Sequence, residues 1–205
     1  MQARGALRKE LARYLRSGRA RRRSRGLSVR NGQGQLRGTA CISRRPAEAN
    51  DRAVPGHWEG DLIFGTRSST IATLVERTSR FVMLVGLPGS HTADVVADAR
   101  AETIATLPEQ LRRSLTWDQG TEMAEHARFS VATGVPVYCC DPHSPWQRGS
   151  NENTNGLLRQ YFPRNTDFKA VTQSDLDVVA AELNDRPRQT LGWKSPCQAL
   201  DQALR

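Results

Sequence analysis

Three acids in this chain, Asp61, Asp118 and Glu152, stand where a carboxylate can do chemistry. Asp61 lies inside the apolar run HWEGDLIFGT (57–66), where Glu59 and Asp61 share a face by period two and Leu62 points the other way. Asp118 ends LTWD (115–118). Glu152 opens the helical part of CCDPHSPWQRGSNENTNGLLRQYFP (139–163), with Asn155 and Arg159 on its face at helical spacing. One acid within a strand, one at a strand end and one on a covering helix could clamp two divalent ions about 3.5–4 Å apart, as phosphodiester chemistry requires. Hard carboxylate oxygens favour Mg2+ or Mn2+.

Each acid also has a plainer reading. Asp118 precedes Gln-Gly and suits a turn, and Glu152 could simply offset the positive end of its helix. Asp61 is the hardest to explain as structure, because an inward carboxylate is costly unless paired. Glu59 is a rival ligand. His57 and His143 read as structural or phosphate-contacting, since His is unusual in all-carboxylate magnesium sites. In the loop before Glu152, Trp146 could stack on an unpaired base and Arg148 clamp a phosphate; Trp146 could equally cover the edge of the core. Asn155 either orients Glu152 or touches the DNA backbone. Arg186 and Arg188 flank a proline after the last predicted helix, a place to meet DNA phosphates.

The elements that must hold these residues follow from hydrophobic period. Strands are predicted at 57–66, 70–79 and 80–88, with short polar turns between them as in an antiparallel meander. A helix over 90–108 follows, with Val95, Val96, Ala99, Ile104 and Leu107 approximating its buried face. Next come a strand at 115–118, a helix at 121–133, a strand at 135–140, the helix of Glu152 and a last helix near 174–185. In the last helix Leu176, Val179, Ala180 and Leu183 fit one stripe. That order predicts an α/β fold, a five-stranded mixed sheet flanked by helices.

Charge divides the chain in two. Residues 1–50 hold 14 of the 30 Lys/Arg and two of the 21 acids, so residues 51–205 are slightly acidic. The expected domains are a basic arm and linker over 1–49, with a short helix near 5–16, and a catalytic core over 50–205. Such an arm favours a polyanion, and Arg21, Arg22 and Arg23 in RARRRSRG (19–26) are its expected DNA contacts. An Arg-rich, acid-poor start is also how an organellar transit peptide looks. No apolar run approaches the ~18–20 residues of a membrane span. Cys41, Cys139, Cys140 and Cys197 lack metal-ligand spacing and read as reduced thiols.

The blocks HWEGDLI, TWDQGTEM and DPHSPWQRGSNENTNGLLRQYFP, in this order, resemble the catalytic signatures of the insertion-sequence-thirty family of bacterial transposases. The 33 residues between Asp118 and Glu152 match that family's spacing, and LNDRPRQTLGWKSP (183–196) resembles its C-terminal signature. The resemblance implies an RNase H-like, integrase-like core with Asp61, Asp118 and Glu152 as catalytic metal ligands and two Mg2+ or Mn2+ ions as cofactor. It implies DNA nicking at an element's ends, then direct attack of a freed 3′-OH on target DNA. Arg159 matches a basic position that approaches the DNA near the cut phosphate. Partners implied are element-end and target DNA and further copies of the chain, with no membrane; the expected place is the bacterial cytoplasm, at the nucleoid. Members normally carry an N-terminal helix-turn-helix region, which is expected to be missing here. A truncated remnant that modulates a full-length transposase, and a general RNase H-like nuclease, are the other readings.

Overall fold

β-branched and aliphatic residues concentrate in short runs, and these runs form one mixed sheet. The computed structural model describes residues 40–87, 92–118, 126–141 and 144–205. The strands are β1 (Ala40–Cys41), β2 (His57–Phe64), β3 (Thr70–Glu76), β4 (Val82–Gly86), β5 (Ser114–Trp117) and β6 (Val137–Cys139), in the order β1-β6-β5-β2-β3-β4. β2, β3 and β4 are an antiparallel meander, while β2–β5, β5–β6 and β6–β1 pair in parallel. All five expected strands are present. The sixth, β1, is two residues long, too short to show any period.

The helices are α1 (Ala47–Asp51), α2 (Ala93–Ala105), α3 (His126–Thr133), α4 (Gly149–Leu158), α5 (Gln173–Asp185) and α6 (Pro196–Leu204). They cover the sheet on both faces. Trp58 and Leu62 of β2 pack with Leu115, Trp117, Val96, Ile104 and Phe129 on one side. Ile63 of β2 packs with Ile71, Val75, Leu158, Phe162, Leu176 and Leu183 on the other. The period-two reading of β2 therefore holds, and Asp61 belongs to the face that α4 covers.

Gly60 is required by a close approach. A Cβ there would lie 1.9 Å from the Trp117 ring of the neighbouring strand. That ring also carries the buried Arg100 guanidinium 4.3 Å from its centroid. Arg100 corrects the expected face of α2. The buried positions are Val96, Ala97, Arg100 and Ile104, while Val95 and Ala99 are only half-buried. An arginine that buries itself on aromatic rings does not register in an apolar stripe. Likewise α6 was not expected, although Ser195, Pro196 and Gln198 build its start: the Ser195 side chain accepts from the Gln198 N–H, and the Gln198 side chain accepts in return.

On the outer edge of β4, side chains of α5 replace a neighbouring strand. Asn184 accepts from the Val82 N–H (2.8 Å) and donates to the Val82 carbonyl (2.9 Å). Gln173 does the same for the Gly86 N–H (2.9 Å) and the Leu84 carbonyl (2.8 Å). The expected arm helix near 5–16 and Arg21, Arg22 and Arg23 lie outside the described residues, as does His143.

Candidate active site

β2 brings Glu59 and Asp61 to one face, and α4 runs alongside it in the same direction. Three contacts set that alignment. At the start, Glu59 accepts the Asn151 N–H (2.9 Å), and Asn151 Nδ2 donates to the Glu59 carbonyl (3.0 Å). In the middle, Asn155 Nδ2 donates to Asp61 Oδ2 (2.9 Å). At the end, Arg159 Nη2 donates to the Phe64 carbonyl (2.9 Å). Thr73 of β3 reinforces the middle contact, its hydroxyl lying 2.9 Å from Asn151 Oδ1 and 3.2 Å from Asn155 Oδ1.

Glu59 is fully buried and ion-paired with Arg77, whose Nε donates to the Ala49 carbonyl (2.8 Å). Its oxygens serve Arg77 and the first turn of α4, so it is a fastener of that helix. The Asn151 N–H is one of the donors that a helix start leaves without an intrahelical partner. Glu59 satisfies it with a full charge at the positive end of the helix dipole.

Asp61 and Asp118 meet at one cation. Arg148, in the single turn Pro145–Arg148, places Nη1 3.2 Å from Asp61 Oδ1 and donates Nη2 to Asp118 Oδ2 (3.0 Å). Its Nη1 also donates to the Gly60 carbonyl (3.1 Å). Burial alone would lower the Arg148 pKa, but the charges of Asp61 and Asp118 outweigh it and raise it. The two acids are accessible, with side chains 30% and 54% exposed, whereas Arg148 is 10% exposed. Nearby, burial pushes the Cys140 thiol up to about 12, so it stays neutral beside the acids.

Glu152 is exposed on the first turn of α4, three residues before the asparagine that holds Asp61. Among the described residues no three His, Cys, Asp or Glu side chains converge tightly enough to hold one ion together. Asp61 and Asp118 nevertheless present hard oxygens to a single positive group, which is the donor chemistry a divalent ion needs. The residues therefore fit such an ion at the Asp61–Asp118 pair, with Glu152 on the adjoining helix turn.

The other expected site residues fall as follows. Trp146 is 68% exposed and covers no core. Arg159 is half-buried and tied to β2, and burial, then Arg164, lowers its pKa. Arg186 is exposed and donates to the Tyr161 hydroxyl (2.9 Å), and Arg188 Nη2 donates to the Leu183 carbonyl (3.1 Å). His57 is structural: its Nδ1 lies 2.7 Å from Ser114 Oγ and its Nε2 3.2 Å from Glu48 Oε1. Sequence reasoning did not single out Asn151, Thr73 or Arg77. Asn151 had one available signal, its place four residues before Asn155 on the same helix face.

Residues 51–145 match the family described as Integrase core domain. The chain is 52% identical over 204 residues to the transposase for insertion sequence element IS1086 of Cupriavidus metallidurans, covering 98% of this chain and 59% of the relative. It is 48% identical over 163 residues to transposase InsI for insertion sequence element IS30A of Escherichia coli K12, covering 80% of this chain and 42% of the relative. The chain thus spans about half the length of the curated relatives it matches. In structure it resembles the catalytic core domain of BIV integrase, with a TM-score of 0.53 at 20% identity over 72% of this chain and 95% of that one. That likeness shows the RNase H-like fold.

Proposed function

We propose that this chain belongs to the insertion-sequence-thirty transposases and that its core is their DNA-cutting and strand-joining part. The observation that carries this is the convergence of Asp61 in β2 and Asp118 just past the end of β5 on one cation position beside the helix of Glu152. Asp61, Asp118 and Glu152 would hold two Mg2+ or Mn2+ ions. Bound there, such ions would supply an activated oxygen nucleophile and neutralise the phosphate. The chain's own residues do the positioning. The Leu62 N–H (2.9 Å) and Asn155 fix the Asp61 carboxylate, and Glu59 and Arg159 hold the two ends of α4 against β2.

DNA approaches from the accessible side of the acids. Exposed Trp146 stacks on an unpaired base there, while Arg186, Arg188 and the basic arm with Arg21, Arg22 and Arg23 meet phosphates. The groove between α2 and α5 has the wrong sign for DNA, since Asp98, Glu102, Asp177 and Asp185 line it without a Lys or Arg. Copies of the chain assemble on DNA, at the bacterial nucleoid.

The test is nicking of supercoiled plasmid with Mg2+ or Mn2+. Asp61→Asn, Asp118→Asn and Glu152→Gln are each expected to remove it. Asn155→Ala, which only loses a support of Asp61, should slow it by about 10–100-fold. Equal nicking by the parent and the three acid variants would rule out these acids as its source.

A further inference from the structure

Arg148 uses the oxygens that an ion would need. Its guanidinium spans Asp61 Oδ1 and Asp118 Oδ2, and its Nε is buried without a hydrogen-bond partner. The fork of N–H donors is therefore only partly satisfied in this pose. The next residue, Gly149, is exposed, and a Cβ there would meet nothing within 4 Å. The space beside Gly149 is thus open to a side chain that leaves the two acids.

We infer that Arg148 is an exchangeable cation of this site: a divalent ion displaces it from Asp61 and Asp118, and the released guanidinium takes a DNA phosphate. The inference rests on the metal-dependent reading above. Two carboxylates and one guanidinium leave a net charge of −1, whereas a divalent ion cancels the pair. Both cations cannot share the same two oxygens, because at a few ångströms in a partly buried site their repulsion is strong. A phosphate is the natural new partner, since it accepts two parallel N–H bonds from one guanidinium. Coupling between two ligands is reciprocal. DNA that draws Arg148 outward therefore tightens ion binding, and the ion readies Arg148 for DNA.

The test needs no turnover. Mn2+ affinity of the DNA-free chain is measured by electron paramagnetic resonance for the parent, Arg148→Gln and Arg148→Lys. Arg148→Gln removes the competitor and is expected to bind Mn2+ about tenfold tighter, within the range of ordinary site coupling. Arg148→Lys keeps a positive charge and should stay near the parent. Equal or weaker Mn2+ binding by Arg148→Gln overturns the inference alone, while a parent that binds no ion overturns it together with the metal-dependent reading. If the variants do not fold, the parent still decides: saturating Mg2+ should move the Arg148 guanidinium resonances in a nitrogen-15 spectrum, and unmoved resonances overturn the inference.

Discussion

Glu59 and Asp61 are the same kind of residue on the same face of one strand, and period two made both legible in the sequence. What separates them is invisible at that range. Glu59 is committed by Arg77, 18 residues on, and by the Asn151 N–H, 92 residues on. Asp61 instead meets Arg148 and Asn155 at the accessible side. Glu59→Ala should therefore act on stability first. Removing one member of a buried pair leaves the other charge unmatched, at a cost of about 3–5 kcal/mol. The double variant Glu59→Gln/Arg77→Met leaves neither member of the pair unmatched and should recover part of that loss. Urea denaturation of the two single variants and the double checks this, and simply additive losses would show that the pair is not coupled. Gly60, between these two acids, is also a residue-scale device. Gly60→Ala would drive a methyl into the Trp117 ring and should cost about 1–3 kcal/mol as overpacking. The intrinsic fluorescence of the folded chain should report a displaced indole.

At the scale of elements, the order of strands and helices was readable because each run is long enough to show its period. The exceptions are instructive. β1 is too short, and α2 hides its true face behind Arg100. The role of α5 as cover for the β4 edge depends on polar residues that a search for apolar stripes ignores. Asn184→Leu would strip the Val82 N–H and carbonyl of their partners, costing about 1–3 kcal/mol. It should also reopen an edge for pairing between chains, so light scattering should detect more self-association than in the parent. His57 links α1 to β5 in the same element-joining manner. Burial outweighs the Glu48 carboxylate and holds its pKa below the usual 6.5. The folded chain therefore takes up a proton less readily than the unfolded one, so this stability is present above pH 6.5 and lost as pH falls through the folded value. His57→Gln should flatten the loss of denaturant midpoint between pH 7 and 5; an undiminished slope would put its origin elsewhere.

For the whole molecule, charge divides the sequence into a basic stretch and a slightly acidic remainder, but it does not say where the folded sheet starts. Twelve Lys/Arg lie within residues 1–39. Arg44 and Arg45 look like more of the same, yet Arg45 is buried. Its Nη1 donates to Thr116 Oγ1 (3.0 Å), and its pKa is lowered to about 10 by burial and then by Arg77. Ile42 is buried as well, and β1 pairs with β6 in register Ala40↔Tyr138 and Cys41↔Cys139. Two truncations therefore separate the electrostatic arm from the structural edge. A chain starting at residue 40 should keep its melting temperature and lose non-specific DNA affinity. The slope of log affinity against log salt should become shallower by about 0.9 for each duplex phosphate contact removed. A chain starting at residue 46 removes the same arm plus β1, Ile42 and Arg45, so it should also melt several degrees lower. Equal melting temperatures for the two would place the start of the core beyond Arg45. An unchanged salt slope in both would make the arm a spacer, leaving the DNA contacts to residues of the core.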